Sequence, residues 1–171
     1  MVSQIVQDAI NGQINAEFSA SYSYLAMSAY CERQNFLGCA KWLRMQSREE
    51  YSHGMKLLDF LLARNGKVEL KPLPGPTVDY PSIPSVFQHA LRQEEEVSHQ
   101  IDRLYELAFK EKAFAALVEL QWFLTEQVEE ERTAREIVAK FELLKDDPAA
   151  LLDLDRDLGA RNPDESAAAA D

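Results

Sequence analysis

The 171-residue chain predicts an all-α fold: a four-helix bundle running up-down-down-up, with one long crossover and a short fifth helix. Three observations predict it. Glycine and proline are scarce, at 6 and 7 residues, and they cluster: Pro72, Pro74, Pro76, Pro81 and Pro84 fall close together, with Gly66 and Gly75 beside them. Elsewhere the chain is rich in Ala, Leu, Glu, Gln and Arg, which favour helix. Apolar residues recur there at steps of three and four, and no alternating run is long enough for a strand.

The first helix is expected from about Gln4 to Arg33, followed by a short break over Asn35–Gly38. The second runs from about Cys39 to Asn65, with Gly66 as its C-terminal stop. Residues 66–82 form one extended connection. Ser82 is a candidate N-cap, with Pro84 in the first turn, for a third helix reaching about Lys110. The fourth spans about Ala113–Leu144, and Asp147-Pro148 opens a shorter helix to about Leu158. Residues 1–160 thus read as one domain, and the acidic, Ala-rich tail 161–171 is expected to be disordered. Helices of ~27 to 32 residues are ~40 to 48 Å long at ~1.5 Å per residue. A connection of ~17 residues can return along such a bundle, which makes the second and third helices parallel.

Composition narrows the function. Net charge is −11, from 29 acids against 18 bases. That balance disfavours sequence-independent nucleic-acid binding and docking on anionic membranes, and favours attraction of cations. No apolar run approaches the ~20 residues of a membrane span, and the N-terminus has no basic and apolar leader pattern. Cys31 and Cys39 are neither a Cys-x-x-Cys pair nor a disulfide framework, which suits reduced thiols in a cytoplasmic protein.

The core stripes carry the chemistry. They run Ile10, Ile14, Glu17, Ser21, Tyr24, Ser28 in the first helix and Leu43, Gln46, Glu50, His53, Leu57, Phe60 in the second. In the third the stripe is Phe87, Leu91, Glu94, Val97, Ile101, Leu104, and in the fourth Leu120, Phe123, Gln127, Glu130, Ala134, Ile137, Phe141. Every step is three or four residues, so each set lies on one helix face. Each stripe is interrupted near its middle by a carboxylate: Glu17, Glu50, Glu94 and Glu130. A single such acid is ordinarily a residue at the bundle edge, but four at compatible heights place four negative charges in one core. Buried, each costs several kcal/mol unless neutralised. Two divalent cations cancel the sum, and His53, one turn beyond Glu50, adds a nitrogen ligand. Carboxylate-rich sites with few imidazoles suit iron or manganese better than zinc or copper. Glu129-Glu130-Glu131 would ordinarily be a solvated face. Glu126 and Glu129, however, share a face at i, i+3, and with Glu49 they form a candidate third cation site at the bundle edge.

Four segments bear a wider resemblance: Gln13-Ile14-Asn15-Ala16-Glu17, Glu49-Glu50-Tyr51-Ser52-His53, Glu94, and the block Leu120-Gln121-Trp122-Phe123-Leu124-Thr125-Glu126-Gln127-Val128-Glu129-Glu130-Glu131. Over roughly residues 4–158 the chain resembles non-haem bacterial-type ferritins. The resemblance implies an iron-storage protein with a ferroxidase centre that oxidises Fe(II) with dioxygen and deposits Fe(III) as a hydrated oxide inside a 24-subunit homo-oligomeric shell. It implies that Glu17, Glu50 and His53 bind the first iron, and that Glu94 and Glu130 bind the second with Glu50 bridging. Glu49, Glu126 and Glu129, with Glu130 shared, would form a third site. Gln127 would hydrogen-bond near the dioxygen side. Tyr24 would be a redox-active tyrosine and Trp122 a nearby aromatic electron source, although both read equally as core packing. The fifth helix would pack around a four-fold axis.

Relatives of that family separate on single residues. Bacterioferritins carry a second Glu-x-x-His on the fourth helix, where this chain has Gln127 and Glu130. They hold haem through a Met where it has Tyr51, so no haem is expected. DNA-protecting mini-ferritins lack this core set, and rubrerythrins append a Cys-rich iron domain that two cysteines cannot build. The acids that line the three-fold entry channel of animal ferritins are replaced by Leu117 and Leu120, so entry by that route is not expected. A non-storage di-iron redox enzyme on the same bundle, or a structural bundle with vestigial acids, remain the readings from other classes.

Overall fold

A computed structural model describes residues 2–145 and 147–161. It contains α1 (Gln4–Arg33), α2 (Leu37–Ala63), α3 (Ile83–Lys110), α4 (Phe114–Leu144) and α5 (Pro148–Gly159). Among the described residues there is no strand. α1 packs along α2 and α3 along α4; α5 lies against α2 and touches α4.

The helix ends show why so little glycine suffices. α1 closes with Asn35 in the left-handed region at φ 64°, with Phe36 N–H donating to the Cys31 carbonyl at 2.9 Å and Asn35 N–H to Glu32 at 3.0 Å. This is the paired closure of a Schellman motif. It recurs at the end of α2 with Asn65 at φ 57° and of α3 with Lys112 at φ 55°. Gly66 is therefore not the left-handed residue of α2. It follows Asn65 and donates its N–H to Leu61 at 2.9 Å, and a Cβ there would lie 2.5 Å from the Leu61 side chain. α2 also starts two residues earlier than its sequence pattern suggests, at Leu37.

The expected caps of α3 and α5 form. Ser82 accepts from Ser85 N–H at 3.3 Å, and Ser85 Oγ accepts from Ser82 N–H at 3.1 Å. Asp147 accepts from Ala149 N–H at 2.9 Å. An unanticipated cap joins α5 to α2: Asp155 accepts from the backbone N–H of Cys39 at 2.8 Å and of Gly38 at 3.2 Å. The approach requires glycine, since a Cβ on Gly38 would stand 1.7 Å from the Asp155 carbonyl oxygen.

The crossover between α2 and α3 is held by side chains at four-residue spacing on α1. Asn11 and Asn15 each donate to and accept from its backbone, contacting Lys67, Glu69 and Lys71 at 2.7–2.8 Å. Gln7 accepts from Lys67 N–H. The core comprises two apolar clusters. One contains Met27, Leu43, Phe87 and Phe141 and is extended by Leu154 and Leu158 of α5. The other contains Ile10, Leu57, Ile101 and Leu120. Each fully buried aliphatic side chain contributes about 1.5–3 kcal/mol. Between the clusters along the stripes lies a layer of buried polar residues.

Candidate metal centre

All four stripe carboxylates are buried: Glu17 and Glu50 are 0% exposed, Glu94 1% and Glu130 8%, with His53 at 4%. Ligand atoms of Glu17, Glu50 and His53 lie within 4.8 Å of one another. The i, i+3 relation brings His53 Nδ1 to 3.7 Å from Glu50 Oε2. A second group, His53, Glu126 and Glu130, meets the same distance limit, so α4 approaches the imidazole from the other side.

The electrostatics are those of a site waiting for positive charge. Glu17 Oε2 and both oxygens of Glu50 are buried without a hydrogen-bond partner. An orphaned carboxylate oxygen is expensive in a protein interior. Burial, with the charges of Glu94, Glu17 and Glu130, pushes the Glu50 carboxyl well above its ordinary range. Burial, with Glu94, Glu49 and Glu126, does the same to Glu130. Burial raises Glu17, against a hydrogen bond from Gln13. Burial raises Glu94 to about 7, against hydrogen bonds from Tyr24 and Gln127. Burial and the Lys56 charge lower His53 to about 4, which keeps the imidazole neutral and available as a ligand. Orphaned hard oxygens with one neutral nitrogen fit a divalent, iron-type cation.

Glu94 stands outside both three-ligand groups, and its oxygens are engaged elsewhere. Tyr24 Oη donates to Oε1, and Gln127 Nε2 lies 3.4 Å from Oε2 and 3.3 Å from the Ser98 hydroxyl. Tyr24 is therefore bonded to a stripe carboxylate rather than being packing alone. Trp122 stacks edge-on to His53 at 5.2 Å between centroids, and Lys56 Nζ lies 4.7 Å over its ring. The edge acids feel one another, since burial and then Glu49 and Glu129 raise the Glu126 carboxyl, but each also has a contact of its own. Glu49 is bonded to Arg161 at 2.9 and 3.2 Å, Glu129 to Arg132 at 2.6 Å, and Glu126 turns instead toward His53 and Glu130. Leu117 and Leu120 pack in the apolar cluster, and Glu119 faces Lys56 at 3.9 Å.

Three residues of the site carry no assignment in the sequence reading. Gln13 donates to Glu17 Oε1 at 2.8 Å, a relation visible as i, i+4. Gln46 donates to Glu130 Oε2 at 2.9 Å; it lies one turn before Glu50 on the same stripe, which was the available signal. Arg161, the first residue of the expected disordered tail, is described and bonded to Glu49 and Gln46; residues 162–171 lie outside the described residues. Both cysteines are buried and free, and burial pushes the Cys31 thiol up to about 12. Among the described residues no helix is long and apolar enough to cross a membrane.

Comparison with known proteins agrees with this geometry. Residues 7–144 match the ferritin-like domain. The chain is 36% identical over 165 residues to the bacterial non-heme ferritin of Staphylococcus aureus strain USA300, covering 96% of this chain and 99% of that one. It has the same identity and coverage to that of Staphylococcus haemolyticus. It superposes with a TM-score of 0.93 on the open-pore ferritin of the hyperthermophilic archaeon Archaeoglobus fulgidus, at 40% identity over 95% of this chain and 99% of the other. A humanized archaeal ferritin matches with the same TM-score at 39% identity.

Proposed function

The chain belongs to the ferritin-like family, and on that premise we propose that it is a cytoplasmic iron-storage ferritin with ferroxidase activity. Its substrates are Fe(II) and dioxygen. Its product is Fe(III), laid down as hydrated oxide within a 24-subunit shell of identical chains. The observation that carries the reading is the set of orphaned oxygens on Glu17 and Glu50 beside His53, sealed between two apolar clusters.

Glu17, Glu50 and His53 hold one Fe(II), and Glu94 and Glu130 the other, with Glu50 between them. Holding the two ions together would let each give one electron to a single dioxygen molecule, which with two protons from water leaves as hydrogen peroxide. Oxygen ligands stabilise the higher charge as it forms. Gln13 and Gln46 orient Glu17 and Glu130 through their amides, and Gln127 reaches from α4 to Glu94. To bind the second ion Glu94 must release at least one of its bonds. Tyr24 sits on that carboxylate, well placed to pass an electron as well as a proton. Glu126 leads from the centre to the edge acids, a route by which Fe(III) leaves. Exposed apolar side chains such as Phe109, Phe114, Val118 and Leu143 supply self-association surface.

The test is an anaerobic Fe(II) titration followed by admission of air, with particle size measured on the same sample. Two Fe(II) bound per chain, a rapid rise in absorbance, and a shell-sized particle that gains mineral are expected. Iron oxidation by a monomer or dimer without mineral would assign the chain to non-storage redox chemistry. Failure to bind two Fe(II) would overturn the centre.

A further inference from the structure

We propose that Arg161 is a tethered cation that holds the edge acid Glu49 in place of a third metal ion, so that metal takes Glu49 as a ligand by displacing the guanidinium. The proposal rests on the metal-centre reading above and extends it to a residue of the C-terminal segment.

The contacts of Arg161 are those of a seated ligand. Nη2 donates to both oxygens of Glu49 at 2.9 and 3.2 Å, and Nη1 donates to Gln46 Oε1. The guanidinium carbon lies 5.4 Å over the Trp42 ring. Its side chain is 21% exposed and that of Glu49 16%, so this is a largely buried, charge-assisted ion pair in which one guanidinium nitrogen spans both carboxylate oxygens. Trp42, Gln46 and Glu49 follow one another along a single face of α2 at steps of four and three. Arg161 reaches that face because α5 is docked there. Gly38 permits the close approach, Asp155 caps α2, and Lys41 Nζ donates to the Gly159 carbonyl at 2.8 Å.

The Arg161 contact reaches the buried centre in one step. Gln46 accepts from Arg161 with its oxygen and donates to Glu130 with its nitrogen at 2.9 Å. Its amide orientation is thus set by a cation on one side and a stripe carboxylate on the other. Glu126, half-buried and subject to the charges of Glu49 and Glu129, already points to Glu130 and His53. A divalent ion bridging Glu126 and Glu130 therefore either leaves Glu49 with Arg161 or takes it from Arg161. Glu129 carries its own partner, Arg132, so the second course adds the acid that the C-terminal segment controls. The fraction of molecules with Arg161 swung away sets the apparent affinity of the edge, just as any closed state taxes a ligand.

The test uses Zn(II), a redox-silent probe, titrated calorimetrically into the assembled metal-free protein. Wild type, Arg161→Gln, Arg161→Lys and the double variant Arg161→Gln/Glu49→Gln are compared. Two tight events per chain are expected in all four, which also verifies the fold. The third, weaker event should tighten about tenfold in Arg161→Gln, the gain expected if about a tenth of molecules are open at rest. It should fall between in Arg161→Lys and lose the gain in the double variant. A third dissociation constant unchanged by Arg161→Gln, or no third event in either protein, would overturn the proposal and leave Arg161 as an anchor of the chain end. Absence of the two tight events from wild type would instead bring down the centre itself.

Discussion

Glu50 and Glu49 are consecutive residues, as are Glu130 and Glu129, yet the molecule treats the members of each pair in opposite ways. The ~100° turn between neighbours on a helix sends Glu50 and Glu130 into the bundle and leaves Glu49 and Glu129 at its edge. At the edge the chain supplies its own counter-charge: Arg161 on Glu49 and Arg132 on Glu129. In the interior, among the described residues, no lysine or arginine bonds to the four stripe carboxylates, and three of their oxygens have no hydrogen-bond partner. The difference teaches that unmet charge, rather than acidity, marks the cation site. Acids are frequent along these helices, but among the described residues the inward four are buried away from water as well as from any lysine or arginine bond.

That contrast can be broken most forcefully at the interior. His53→Ala should slow the initial phase of aerobic Fe(II) oxidation by about 100-fold or more, at least the loss seen when outer partners of metal ligands are removed. Stopped-flow absorbance after mixing with air-saturated buffer measures it. A rapid phase that survived unchanged would mean the imidazole is not a ligand.

The next effect is in stability against pH. Glu94 titrates at about 7 in the fold and near 4.3 unfolded. The folded state therefore holds its proton more tightly, and the stability this contributes is full below about pH 4.3 and lost as pH rises through about 7. The span is worth about 4 kcal/mol. His53 works the other way. It is depressed to about 4, and its neutral burial loses stability as pH falls from about 6.5 toward 4. Glu94→Gln should remove the acid's share. Melting of the metal-free variant between pH 5 and 8 should then rise relative to wild type, most at the alkaline end. Parallel curves would refute the Glu94 assignment. Metal-loaded protein should show the reverse trend, since binding requires deprotonated ligands.

Tyr24→Phe tests a single bond within the same layer. It leaves Glu94 Oε1 without its donor in the metal-free state, a loss of about 1–3 kcal/mol, readable by chemical denaturation. Binding of two Fe(II) should persist, with slower oxidation if the phenol relays charge. The smallest effect belongs to the edge. Glu129→Gln removes an exposed i, i+3 pair with Arg132, and stability should move by less than about 0.5 kcal/mol. Were it to match the Glu94 substitution, the interior and the edge would not be distinct environments.

Much of this was legible before any coordinates. A 3.6-residue period assigns each side chain to a face, and faces that are otherwise apolar must turn inward. So Glu17, Glu50, Glu94 and Glu130 could be placed in the core, His53 beside Glu50, and the long crossover between the helix pairs, from residue types alone. The caps at Ser82 and Asp147 were equally local, each needing only a short side chain next to its own helix. Lys112 in a left-handed closure was not, because nothing in a lysine announces it.

What the sequence by itself determined is which residues face which way, since that follows from the helical repeat and from the free energy of removing apolar surface from water. What only the tertiary structure decided is which inward and edge groups meet. The Asn11 and Asn15 clamp on the crossover, Asp155 on the start of α2, Tyr24 on Glu94, Gln46 on Glu130 and Arg161 on Glu49 all join residues distant in the chain. Hydrogen bonds and ion pairs act over ~3 Å and depend on direction. Periodicity can bring such groups to the same layer, but the packing of whole helices sets the last few ångströms that choose partners.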